Sequence, residues 1–140
     1  MSGIRGKNTM PELLVRKGLH RRGFRFRLHS TKVPGKPDLV LTRYRAAVFV
    51  HGCFWHGHDC HLFRIPSTRP EFWETKITRN RQRDRDVRES LLADGWRRLV
   101  VWECALKGKH RLDFESLMDR VSCWIEGGSA ECEIAGEVNT

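Results

Sequence analysis

No stretch of this 140-residue chain approaches the run of about 18 consecutive apolar residues that a membrane-spanning helix needs. The N-terminal MSGIRGKNT lacks the apolar centre of a secretory leader, so the expectation is a cytoplasmic protein with no membrane partner. Acidic side chains are scarce over residues 1–100, with 9 against 22 basic ones, whereas residues 101–140 hold 8 against 4. The formal charge of +9 is therefore concentrated in the first hundred residues, and a polyanionic partner is expected there. Nineteen of the 26 cations are Arg, whose planar fork grips two phosphate oxygens at once, which favours nucleic acid over a membrane surface. The length excludes a two-domain enzyme. It fits one domain over residues 1–126, followed at 127–140 by a Gly- and Glu-rich segment with little to bury, expected to be a mobile tail. There is no internal repeat and no low-complexity segment.

With no leader, the five cysteines point away from disulfides and towards metal ligation. Cys53, His58 and Cys60 lie close together in CFWHGHDCH, and Cys104 follows in WECAL. Three thiolates and an imidazole suit tetrahedral Zn²⁺, and four protein ligands leave no open position, so the site reads as structural, a staple between distant segments. Cys123, in an apolar helical pattern, is expected in the core, and Cys132, in the acidic segment, as a free thiol.

The patterning gives the order α-β-β-β-α-β-α. Thr9-Met10-Pro11-Glu12 has the form of a capping box and opens a helix over about 10–22. Strands follow at 24–28, 38–41 and 46–50, the last two as a hairpin. From Pro70 to Asp94 there is no Gly or Pro after the first residue, which predicts the longest helix; a strand at 96–102 and a helix at 112–125 complete the series.

That long helix carries a contradiction. Trp73, Ile77, Val87 and Leu91 mark an apolar stripe whose continuation passes through Asn80 and Asp84. An inward carboxylate is costly unless it is paired or beside a metal or cleft, so Asp84 is either a functional residue or an ion pair with a neighbouring Arg. Arg79, Arg81, Arg83 and Arg85 occupy the rest of the helix surface, as a solvated face or as a rail for phosphates. Asp38, after Pro37 at a strand start, is either a turn former or a stiffly held Mg²⁺ ligand; Glu12 is already explained as a cap residue. Zinc needs only one of His51, His56, His58 and His61, which leaves His51 and His56 for proton transfer, with His61 as an alternative or supporting ligand. Phe54, Trp55 and Trp73 are large aromatics near cationic residues, suited to unstacking bases; core packing competes for Trp73.

VFVHGCFWHGHDCHLFRIPSTRPEFWETKI, with GKPDLV before it and GWRRLVVWECAL after it, resembles the very-short-patch repair endonucleases (Vsr) over residues 3 to 126. The resemblance implies a variant of the restriction-endonuclease-like PD-(D/E)XK fold, an α/β class whose α-β-β-β-α-β core agrees with the predicted order. It implies a Mg²⁺-dependent enzyme that nicks one DNA strand next to the T of a T:G mismatch, the product of 5-methylcytosine deamination. Asp38 then matches the metal-binding aspartate, and Val50, where the family often has Thr, the position whose backbone carbonyl helps hold Mg²⁺. His56 matches the proton-handling His, Asp84 its acid partner, and His51 and Glu12 the remaining polar positions. Cys53, His58, Cys60 and Cys104 match the structural zinc ligands, and Phe54, Trp55 and Trp73 the intercalating aromatics. The family carries a basic arm ahead of its first helix, whereas here only Met1 to Lys7 precede it. A monomer acting on mismatched duplex DNA, with mismatch-repair proteins as further partners, is the resulting expectation. A related nuclease with another mismatch or site preference, and an inactive zinc-stapled DNA-binding module, are the alternatives.

Overall fold

A computed structural model describes residues 9–60 and 62–137; residues 1–8, with the short segment before the first helix, His61 and residues 138–140 lie outside the described residues. Helix α1 (Met10–Arg21) starts where the sequence places it. Thr9 caps it, its hydroxyl accepting the Glu12 N–H at 3.4 Å, and Pro11 occupies the first turn, where no N–H is needed. Strand β1 (Arg27–Leu28) is shorter than predicted. Phe24 is buried and meets the Tyr44 ring edge-on at 6.0 Å, so the start of that alternating segment packs into the core instead of extending the ladder. Strands β2 (Leu39–Leu41) and β3 (Ala46–His51) form the predicted hairpin through a 3-10 turn at Thr42–Tyr44 and a left-handed Arg45. Helix α2 (Pro70–Ala93) runs 24 residues, and left-handed Gly95 turns the chain into β4 (Arg97–Trp102). A single helical turn, α3 (Glu103–Leu106), and α4 (Phe114–Gly127), capped by Asp113, follow.

The last element corrects the expectation of a mobile tail. Glu131–Ile134 form β5, which pairs in parallel with β4, Arg98 opposite Glu131 and Val101 opposite Ile134. Ile134 is buried, and the glutamates of this strand meet Arg88 and Arg98. The acidic segment thus supplies an edge strand whose charges find partners. The sheet order is β1-β2-β3-β4-β5, with the first two pairings antiparallel and the last two parallel.

The alternation of side chains along β3 and β4 divides the core. Ala46, Val48, Leu99 and Val101 point to one face, under Val15 and Leu19 of α1 and Leu117, Val121 and Ile125 of α4. Ala47, Phe49, Val100 and Trp102 point to the other, with Leu91 of α2, Cys53 and Cys104. Of the remaining cysteines, Cys123 is exposed on α4 rather than in the core, which corrects that expectation, while Cys132 on β5 is a free thiol as expected, half-buried against the core. No helix among the described residues is long and apolar enough to cross a membrane.

Candidate active site

Cys53, His58 and Cys60 lie on the loop after β3, and Cys104 lies on α3, directly after β4. Because β3 and β4 are parallel neighbours ending together, with His51 opposite Trp102, segments some fifty residues apart in sequence meet at one end of the sheet. The four ligand atoms lie within 4.8 Å of one another. His58 Nδ1 is 3.5 Å from Cys53 Sγ and 3.7 Å from Cys104 Sγ. A tetrahedral Zn²⁺ with ordinary Zn–S and Zn–N bonds requires about 3.6 Å between sulfur and nitrogen, so the donors fit that ion in type and in spacing. Their surroundings fit as well: Gly136 N–H donates to Cys104 Sγ at 3.3 Å and Leu62 N–H to Cys60 Sγ at 3.4 Å, as backbone amides do to metal thiolates. Burial raises the Cys53 and Cys104 thiols, with Cys60 adding to the lift of both, and burial lowers the His58 imidazole. The His58 ring stacks on Trp102 at 4.1 Å, which fixes its plane.

The loop carrying this cluster also carries the proton-transfer candidates. Asp84 Oδ2 lies 2.7 Å from His56 Nδ1, so the inward carboxylate of α2 has a histidine partner rather than one of the adjacent arginines. An ionised carboxylate only accepts, so the shared proton belongs to Nδ1, and Nε2 is left to exchange a proton with a substrate or water. Asn80, the other polar residue on the stripe, donates to the Trp55 carbonyl at 2.7 Å. Arg81 does the same for the Gly57 carbonyl, which makes it a loop anchor as well as a cation. His51 stacks on His56 at 3.8 Å with rings 4° apart. Burial, then the neighbouring His56 and Arg98, push the His51 imidazole well below its ordinary range, so it is neutral near pH 7. Its Nδ1 is buried with no hydrogen-bond partner among the described residues.

Across the same cleft are the carboxylates. Asp38 Oδ2 accepts the Val50 N–H at 2.6 Å, tying the start of β2 to the end of β3. Glu12, 1% exposed, does more than its place in a capping sequence suggests: its Oε2 meets Arg16 at 3.2 Å and His29 Nε2 at 2.8 Å. Burial lifts the Asp38 carboxyl to about 7, against the Val50 amide, and Glu12 adds to the lift. Two such carboxylates beside a histidine, with ligand atoms all within 4.8 Å, are a donor set that a divalent cation satisfies.

Phe54, Trp55 and Trp73 form one half-buried cluster with ring centroids 5.1–5.8 Å apart, at the junction of the loop and the start of α2. Phe54 and Trp55 line the cleft. Arg79, Arg81, Arg83 and Arg85 are all exposed, and Arg83 lines a recess with His51, His56 and Asp84. The sequence reading passed over two residues here. His29 is an isolated His after a weak strand, and Glu103, which accepts the Cys53 N–H at 3.1 Å, adjoins a cysteine with no feature of its own. Neither has a signal that spacing alone exposes.

Residues 1–62 match the family model described as DNA mismatch endonuclease Vsr. The DNA mismatch endonuclease Vsr of Escherichia coli (strain K12) is 44% identical over 138 residues, 97% of this chain and 88% of that protein. Type II nicking enzymes of Xanthomonas oryzae pv. oryzae and Neisseria meningitidis are 50% and 48% identical, over 76% and 78% of this chain and 78% of each relative. With identity spread over nearly the whole length and a cleft assembled from the motif residues, the chain belongs to the Vsr family of DNA mismatch endonucleases.

Proposed function

We propose that this endonuclease nicks one strand of duplex DNA beside the T of a T:G mismatch, using Mg²⁺ at Asp38 and a proton-transfer pair, His56 with Asp84. The observation that carries this reading is the single cleft that gathers Glu12, Asp38, Val50, His51, Phe54, Trp55 and His56. Strand-specific cleavage of mismatched DNA is what family membership makes of the chain; the mismatch, the ions and the residue roles are the proposal.

Asp38, with the Val50 carbonyl, would hold the cation, whose chemistry when bound is to polarise the scissile phosphate and offset charge on the leaving 3′ oxygen. The Val50 amide holds Asp38 Oδ2, so Oδ1 is the oxygen turned to that task. His56 moves a proton at Nε2, while Asp84 on Nδ1 fixes the tautomer and steadies the imidazolium. His51, neutral and stacked against His56, contributes a ring that does not repel the protonated form. Phe54, Trp55 and Trp73 enter the base stack at the mismatch, where unstacking costs least. Cys53, His58, Cys60 and Cys104 would hold Zn²⁺, which would fix the loop that bears both His56 and the wedge. The order of α1, β1 to β3, α2 and β4, with Asp38 opening β2 after Pro37, supports the PD-(D/E)XK reading of the fold.

The test is cleavage of an end-labelled duplex with one T:G mismatch and randomised flanks, against a T:A control, with Mg²⁺. A single nick beside the mismatched T, absent from the control and lost in Asp38→Ala while binding persists, is the expected result. Folded protein that binds the duplex and never nicks it overturns the reading.

A further inference from the structure

His29 is a titratable residue beside Asp38 that the proposed reaction leaves unused. It follows β1, and its backbone N–H donates to the Asp38 carbonyl at 3.2 Å, so it sits across from Asp38 at the ends of two paired strands. Its φ is 48°, in the left-handed region that costs a non-glycine residue energy and that clusters at functional sites. Held this way, its Nε2 lies 2.8 Å from Glu12 Oε2 and 4.0 Å from Asp38 Oδ1. The three side chains come from different elements, and all are largely withdrawn from solvent, at 1% exposure for Glu12, 13% for Asp38 and 18% for His29. Glu12 already has a cationic partner in Arg16, at the same Oε2, so neutralising that carboxylate does not require an imidazole. Asp38 Oδ2 is engaged by the Val50 amide, and the oxygen nearest His29 is Oδ1, the one turned to the cation.

We propose that His29 is a third protein ligand of the active-site cation, giving an N,O,O set with Asp38 and Glu12. This rests on the reading of Asp38 as the cation's aspartate. The consequence is ion preference. Sites built wholly of oxygen suit Mg²⁺, whereas an imidazole draws the site towards Mn²⁺ and Co²⁺. This enzyme therefore binds Mn²⁺ more tightly than Mg²⁺ by a margin that His29 sets.

The test uses full-length, zinc-replete protein and Mn²⁺ as the probe, with binding followed by electron paramagnetic resonance and the ligand atoms by pulsed detection of ¹⁴N coupling. Wild type should bind Mn²⁺ with ¹⁴N coupling, and His56→Ala and His51→Ala should each keep it, which removes the neighbouring His pair as the source. His29→Gln retains a donor for Glu12 and should lose the coupling together with about tenfold in Mn²⁺ affinity, while Mg²⁺ affinity, read by competition, changes by less than about threefold. His29→Asn, better suited to a left-handed backbone, repeats the measurement if the Gln protein folds poorly. Coupling that survives either substitution, or equal losses for both ions, overturns the proposal and leaves His29 as a support for Glu12. Mn²⁺ binding indifferent to Asp38→Asn overturns the underlying reading instead, and the two failures are told apart by which variant changes the spectrum.

Discussion

Asp38 sits where desolvation and the neighbouring Glu12 both favour its protonated form, so the carboxyl titrates at about 7 when no cation is bound. Its folded value lies above the unfolded 3.8, so its contribution to stability is full below about pH 4 and is lost as pH rises through 7. Without divalent cation, the loss between those limits is roughly 4 kcal/mol at most. The expected result is a wild-type stability, from denaturant melts, that falls over pH 4–7 relative to Asp38→Asn; Mn²⁺ or Mg²⁺ should raise the midpoint more at pH 8 than at pH 5. Equal slopes in the two proteins would mean that Asp38 is ionised and compensated without an ion. For the His56–Asp84 pair the expectation is kinetic: His56→Ala should slow nicking by roughly 10²–10⁴-fold and Asp84→Asn by part of that, with duplex affinity unchanged in filter binding. At this scale the sequence was legible where a residue broke a pattern, as Asp84 does on an apolar stripe. It was illegible for His29, whose meaning comes from the strand pairing that sets it across from Asp38.

The loop after β3 is held to α2 by hydrogen bonds that run to its backbone, from Asn80 to the Trp55 carbonyl and from Arg81 to the Gly57 carbonyl. Gly57 makes this docking possible. Its φ is 63°, and a Cβ there would lie 2.5 Å from Arg81 Nε and 2.6 Å from Ile77 Cγ2. Gly23 offers the control, since it also has a positive φ, 90°, but has nothing within 4 Å of the added atom. Both substitutions to Ala bear left-handed strain, so the difference between them reports the contact with α2. Gly57→Ala should lose about 1–3 kcal/mol more than Gly23→Ala in denaturant melts, and nicking should fall with it; equal losses would show that the loop can lift from α2 freely. Element by element, α1, the hairpin, α2 and β4 were readable from caps and periodicity. The fifth strand was not, because ECEI in an acidic segment offers a single deeply buried apolar side chain, and its stability depends on Arg88, Arg98 and the Trp102 indole that binds Glu133.

The charge asymmetry of the chain has a counterpart in the molecule. The acidic C-terminal strand engages Arg88 and Arg98, while Arg79 and Arg83 stand exposed along α2, with Arg83 beside the His56–Asp84 pair. Arg83→Gln should weaken matched and mismatched duplexes alike and make the slope of log affinity against log salt shallower by about one, as loss of one phosphate contact requires; an unchanged slope would place Arg83 off the DNA. The Cys/His cluster acts over a longer range. It joins the loop after β3 to α3, and the Gly136 amide on Cys104 Sγ ties in the chain just after β5. Three regions of the sequence thus meet at four donors whose buried thiols resist ionisation unless a cation compensates them. Removing the proposed Zn²⁺ with a chelator should therefore lower the melting temperature of the whole domain and abolish nicking, and adding back Zn²⁺ should restore both. Cys60→Ser, at a half-buried position, tests whether the two effects are linked: it weakens one ligand while the loop's bonds to α2 remain. If the metal's role is to hold that loop, melting and nicking fall together in Cys60→Ser; nicking that persists in a chelated, less stable protein would assign the loop's geometry to Asn80 and Arg81 alone.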